Sequence, residues 1–259
     1  DTDLWYKTYT LPAKARMTYM ISPDDSLAPP AFGGKYGERM ANFRPDPFNP
    51  RAFSRPDEDE TWSVLEMPAA FPQPWINPRS EVPAGTVDDH LLRSDILNNE
   101  RRVWIYTPPN YAEHTERYGV IVLLDGFEYL HAMPTPTILD NLLAKKLISP
   151  VIAILVDHIS WEKRWEEIEQ CYPPFVEFLA RELMPWAKSR YRIVTDSSRI
   201  TIGGYSGGGT CAAFAALKHP EVFGKILSQS GAFSYKPSEE QEHGWLIRQF
   251  IDADRQPLA

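Results

Sequence analysis

Nine residues, Thr201-Ile202-Gly203-Gly204-Tyr205-Ser206-Gly207-Gly208-Gly209, set the reading of the whole chain. They contain G-x-S-x-G at Gly204, Ser206 and Gly208. Arg199–Gly203 predicts a strand, and the Ala-rich Gly207–Lys218 predicts a helix. A serine in a sharp bend between strand and helix is the setting of a nucleophile elbow. Glycines two positions away on either side leave room where a Cβ would clash. The bend lifts the hydroxyl above the sheet and places it at a helix N-terminus. There the Gly207 N–H can donate to an oxyanion. A dinucleotide G-x-G-x-x-G does not fit, because position 205 is Tyr and 206 is Ser, and a P-loop does not fit, because no Lys follows.

The pattern around the elbow agrees with it. Val120–Leu124, Val151–Val156 and Lys225–Ser228 read as further strands. Pro136–Lys146 reads as a helix with Ile138, Leu139, Leu142, Leu143 and Leu147 on one face, and Phe175–Tyr191 as another. Thr86–Ser94 and Arg101–Thr107 read as a hairpin across Asn98-Asn99. Fully apolar strands alternating with helices predict a parallel sheet covered on both faces; it is the elbow that points to the α/β-hydrolase class. In that class the loop after an earlier strand supplies a second oxyanion N–H. Leu123-Leu124-Asp125-Gly126-Phe127 offers it at Gly126, where a missing Cβ lets the backbone approach a substrate.

Toward the N-terminus the composition changes. Thirteen of the 24 prolines precede residue 86. Leu4–Leu11, Ala15–Ile21 and Trp62–Met67 read as strands, and 28–60 as a Pro- and Gly-rich loop. We therefore expect a small β-rich module over 1–80, too few strands to make a sandwich alone, and the α/β-hydrolase domain over 81–259.

A 259-residue chain with 43% apolar and 24% charged residues is neither disordered nor fibrous. Its apolar runs are too short to span a membrane. A net charge of −8 argues against nucleic acid or acidic membranes as partners. Cys171 and Cys211 lack metal or C-x-x-C spacing, so they read as free buried thiols with no metal site. Free thiols favour a reducing compartment, the cytoplasm, with the periplasm as the alternative.

The expected order is Ser, then acid, then His. After Ser206 only His219 and His243 remain. His219 reads as a helix C-terminal residue on the dipole, and His243 as a solvated residue or the base. His131 and His158 lie near strand ends, out of order. The expectation is that the acid and the His lie beyond Ala259.

Several segments together resemble the ferric enterobactin (enterochelin) esterase family. They are Leu123-Leu124-Asp125-Gly126, Met133-Pro134-Thr135-Pro136-Thr137-Ile138-Leu139-Asp140-Asn141-Leu142, the elbow, and Leu227-Ser228-Gln229-Ser230-Gly231. Leu4-Trp5-Tyr6-Lys7-Thr8-Tyr9 and Asp46-Pro47-Phe48-Asn49-Pro50 resemble the same family's N-terminal β-sandwich module. The resemblance implies a serine esterase that hydrolyses the ester bonds of a cyclic tri-serine catecholate siderophore, often with iron bound. It implies that Ser206 is the nucleophile and that no cofactor is needed. Arg164-Trp165-Glu166-Glu167-Ile168 matches the family's Arg-x-x-Glu-Leu with Ile for Leu; the Asn that follows there is Cys171 or Tyr172 here. In the family this pattern lies beside the cleft.

An anionic tris-catecholate asks for a cation among aromatics, so Arg164, Glu167 and Trp161, with Trp165 nearby, are the candidate substrate-binding residues. A solvated helix face is the competing reading of that segment. The competing functions are a general carboxylesterase for feruloyl, acetyl or thioester substrates, and a binding module that kept the elbow without its base. The expected partner is a small-molecule ester.

Overall fold

The computed structural model describes residues 7–25, 41–54, 61–234 and 244–254. The chain divides into two compact units, Asp1–Pro74 and Trp75–Ala259.

The first unit carries a three-stranded sheet in the order β1-β3-β2, from β1 (Arg16–Tyr19), β2 (Ala52–Ser54) and β3 (Thr61–Glu66). Both pairings are antiparallel. Of the strand expected at Leu4–Leu11, residues 7–11 are irregular and 4–6 lie outside the described residues. The loop expected over 28–60 holds the short β2. Asp46-Pro47-Phe48-Asn49 pins its neighbourhood to β3. The Asp46 carboxylate accepts from the Tyr19 hydroxyl (2.6 Å) and the Phe48 N–H (2.9 Å), and the Asn49 amide donates to the Val64 carbonyl (2.9 Å).

The second unit is built on a six-stranded sheet in the order β4-β5-β7-β6-β8-β9. The strands are β4 (Thr86–Ser94), β5 (Asn99–Thr107), β6 (Gly119–Leu124), β7 (Val151–Val156), β8 (Ile200–Tyr205) and β9 (Lys225–Gln229). From β7 to β9 all pairings are parallel. The expected hairpin forms, and β5 pairs antiparallel with β7, so the sheet is mixed rather than wholly parallel. A short turn reverses the chain between β4 and β5, whereas β6 to β9 are joined by helical crossovers that allow parallel pairing.

The helices are α1 (Thr135–Ala144), α2 (Trp161–Arg164), α3 (Pro173–Phe178), α4 (Met184–Arg190), α5 (Gly207–Lys218) and α6 (Trp245–Asp254). The single helix expected over Phe175–Tyr191 is α3 and α4 joined by a wide π turn, Leu179–Leu183. That turn ends just before Pro185, which has no N–H to continue an α-helical ladder.

Alternation along the strands serves both faces at once. Val122, Leu124, Ile154, Val156 and Ile202 pack with Phe175, Phe178 and Phe214 of α3 and α5. Leu123, Leu155 and Ala153 pack with Tyr129 and Leu139 on the other side. Because β6, β7 and β8 run the same way, Asp125, His158 and Ser206 follow them at one edge of the sheet. That edge is where open α/β sheets bind ligands.

Candidate active site

Ser206 joins β8 to α5 with φ 50° and ψ −123°, a conformation a non-glycine side chain adopts at about 1–3 kcal/mol of strain. Its neighbours hold it there. The Ser206 N–H donates to the Gln229 carbonyl at 3.0 Å, and the Ser206 carbonyl accepts from Gly209 N–H at 3.0 Å and Ala232 N–H at 3.3 Å. Ser206 is exposed while the residues after it are buried. A Cβ on Gly204 would lie 2.6 Å from the Gly208 carbonyl carbon, so the strand must be bare where the helix crosses back over it. Among the described residues no side chain is hydrogen-bonded to the Ser206 hydroxyl.

Gly126 sits at the end of β6. A Cβ there would lie 2.7 Å from the Leu155 carbonyl carbon, so its bareness serves the close approach of β7 rather than of a substrate. The next amide, Phe127 N–H, is directed at the Asp157 carboxylate at 3.4 Å.

Asp125, just before Gly126, is fully buried and has φ 66°. Its two oxygens take Nε and Nη2 of Arg164 at 2.7 and 2.9 Å. His158 Nδ1 stands 3.6 Å from the same carboxylate. Burial alone would raise the Asp125 pKa, but hydrogen bonding to His158 and Arg164 and their positive charge hold it below the usual range. His158 is the mirror case. Burial pushes it down, yet Asp125, with Glu128 and Asp157, raises it above an ordinary imidazole.

Arg164 comes from α2, whose first turn is capped by the Ser160 hydroxyl accepting from Lys163 N–H at 3.1 Å. Its third contact is Nη1 to Glu169 at 2.5 Å. In an α-helix, residues three and four apart share a face, and five apart do not. Here Trp165–Glu169 is a wide π turn, and it brings Glu169 beside Arg164. No signal in the sequence marked that turn. A Cβ on Gly207 would collide with the Glu169 carboxylate.

The structure therefore brings Ser206, Gly207, Asp125, Gly126, Arg164 and Glu169 together and separates Glu167 from them. Both Glu167 oxygens take the Arg101 guanidinium at 3.0 Å in the core. Arg164 is not on a solvated face; its side chain is 8% exposed. Trp161 is 46% exposed and covers His158 (ring centroids 4.8 Å apart) and the Arg164 guanidinium (5.5 Å). Tyr205 lies against that guanidinium from another side, also at 5.5 Å.

His219 ends α5, held by Glu177 and Glu221 at 3.2 and 3.1 Å. That is a helix length of about 18 Å from Ser206. His131 packs on Phe127 with ring centroids 4.4 Å apart. His243 lies outside the described residues. Cys171 and Cys211 are free and buried. Asp125, Glu128 and His158 offer ligand atoms within 4.8 Å of one another, the closest approach to a metal-binding group among the described residues. The Arg164 cation already occupies both Asp125 oxygens, which works against a second cation there. No helix among the described residues is long and apolar enough to cross a membrane.

Residues 94–250 match the family described as "Putative esterase". The chain belongs to this esterase family. Residues 1–76 match the family described as "Enterochelin esterase, N-terminal". Over 258 residues the chain is 31% identical to the Iron(III) enterobactin esterase of Escherichia coli O6:H1, covering 96% of this chain and 63% of that one. It is also 31% identical to the Iron(III) enterobactin esterase of Escherichia coli K12, covering 95% and 62%. The crystal structure of the Shigella flexneri enterobactin esterase in the presence of enterobactin superposes with a TM-score of 0.76 at 29% identity, covering 94% of this chain and 63% of that one. The chain thus spans less than two thirds of the length of these relatives. The family resemblance read from the sequence holds, as does the α/β-hydrolase fold.

Proposed function

We propose that this chain is the esterase body of a serine hydrolase acting on a catecholate siderophore of the enterobactin kind, a cyclic triester whose cleavage lets iron go. What supports the reading is Ser206, exposed and strained at the head of α5, in a chain alike over 96% of its length to an Iron(III) enterobactin esterase.

The chemistry follows from the arrangement. A base takes the Ser206 proton, and Oγ attacks an ester carbonyl. The oxyanion is held by the N–H groups of Gly207 and Gly126, at the positive end of α5. The serine alcohol leaves with the proton from the base, and water then releases the acyl group from Ser206. The base is a histidine outside the described residues, since none of the described imidazoles is hydrogen-bonded to the hydroxyl. The exposed Trp161 ring offers a face on which a catechol ring can stack. We place this activity in a reducing compartment, the cytoplasm, which suits the free Cys171 and Cys211 thiols.

The test is Ser206→Ala in the intact protein. Fluorophosphonate labelling and hydrolysis of enterobactin to its linear form are both expected to vanish. A variant that still hydrolyses the trilactone at the parental rate overturns the reading. A preference for p-nitrophenyl or feruloyl esters over the trilactone would keep the nucleophile and remove the siderophore.

A further inference from the structure

We infer that Arg164 is not a substrate-binding cation but a positioning residue that holds the two halves of the oxyanion site together. The inference rests on the proposed role of Ser206. Three facts carry it. First, the guanidinium fork grips Asp125 through both oxygens, at 2.7 and 2.9 Å, and so fixes the residue before Gly126. Second, the remaining arm grips Glu169 at 2.5 Å, and the Glu169 carboxylate lies against Gly207 so closely that no Cβ fits. Third, the Asp125 carboxylate itself reaches α5, because a Cβ on Gly208 would lie 3.0 Å from Oδ2. One planar cation thus spans two carboxylates, and each carboxylate abuts one of the first two residues of the helix that begins at the nucleophile. A lysine could not span them, because its ammonium is a point charge with no fork.

The charge balance decides the function. With Arg164 in place, two carboxylates beside the oxyanion site are compensated, and the helix N-terminus keeps its attraction for negative charge. Without it, those carboxylates face the developing oxyanion directly. The effect appears in the transition state and not in the ground state, so kcat falls while KM changes little. Arg164, 8% exposed and holding two anions, has no donor fork left for an anionic substrate.

Burst kinetics with an activated ester test this in the full-length protein. The amplitude counts competent sites and the rate reads acylation. Ser206→Ala is expected to abolish the burst. Arg164→Gln is expected to slow the burst rate by about 10²-fold at unchanged amplitude, the size of losing one oxyanion donor. Arg164→Lys is expected to fall between it and the parent. Arg164→Gln with Glu169→Gln is expected to recover part of the rate, because one uncompensated carboxylate is gone. If Arg164→Gln and Arg164→Lys lower only the amplitude, or leave the rate at the parental value, the positioning role is overturned while the nucleophile stands. If Arg164→Gln raises KM and leaves kcat alone, Arg164 binds substrate and the inference is wrong. If Ser206→Ala keeps its burst, the nucleophile reading itself falls.

Discussion

Two arginines are buried among the described residues, and their neighbourhoods teach different lessons. Arg101 pairs with Glu167 through two 3.0 Å hydrogen bonds, with side chains 0% and 5% exposed. Phe178 and Phe175 cover the guanidinium at 4.9 and 5.1 Å. Arg164 pairs with Asp125 and Glu169, under Trp161 and Tyr205. The chemistry of the pairs is alike, but the surroundings are not. The first is enclosed by core aromatics and anchors the π turn to β5. The second lies at the sheet edge beside the exposed Ser206. The acids Glu167 and Glu169 are only two positions apart, yet one faces the core and the other the elbow. A buried ion pair tells little about function until its neighbours are known.

Breaking the first pair should have the largest effect on stability. Arg101→Ala leaves Glu167 buried and unpaired, and unfolding free energy is expected to fall by about 3–5 kcal/mol. Urea titration measures it. The acylation rate per competent site should stay at the parental value, and a slowed rate at full amplitude would erase the division between the pairs.

A smaller effect is expected on the second. Gly207→Ala drives a Cβ into the Glu169 carboxylate, which Arg164 keeps from swinging aside. Overpacking of this kind costs about 1–3 kcal/mol. Here the acylation rate should drop as well. Parental kinetics and an unchanged urea midpoint would show that Glu169 moves away freely.

The smallest effect is a pH dependence at the second pair. His158 faces Asp125, Asp157 and Glu128 and stacks on Trp161, and its pKa is raised in the folded state. Its contribution to stability is therefore complete below the pKa of a free imidazole, about 6.5. It is lost as pH rises through the raised value. Thermal unfolding from pH 6 to 9 should show this decline in the parent, and His158→Gln should remove it. A decline that persists in the variant would assign it to another group.

These comparisons also show where sequence reading stops. The segments β6, β7, β8 and α5 were legible, because a run of apolar residues or a G-x-S-x-G bend carries its signal within a few neighbouring positions. The hairpin was legible too, but its antiparallel union with β7 joins segments far apart in the chain. Ser206 and Gly207 were identified as candidates, and Gly126 was chosen for a reason the structure replaced with the nearness of β7. The sequence offers Arg164 as a substrate-binding cation, for which the positioning role is our proposal, and groups with it Glu167, which pairs with Arg101 in the core. The partner of Arg164 lies 39 positions away, and its second acid comes within reach only through a π turn that no residue type announced.

Local chemistry alone thus determined which segments become strands and helices and which hydroxyl is lifted from the bend, since those outcomes depend on near neighbours. Which carboxylate meets which arginine depended on residues 39 and 66 positions apart in the chain being brought together. Only the folded sheet does that, because charge pairing depends on separation in space.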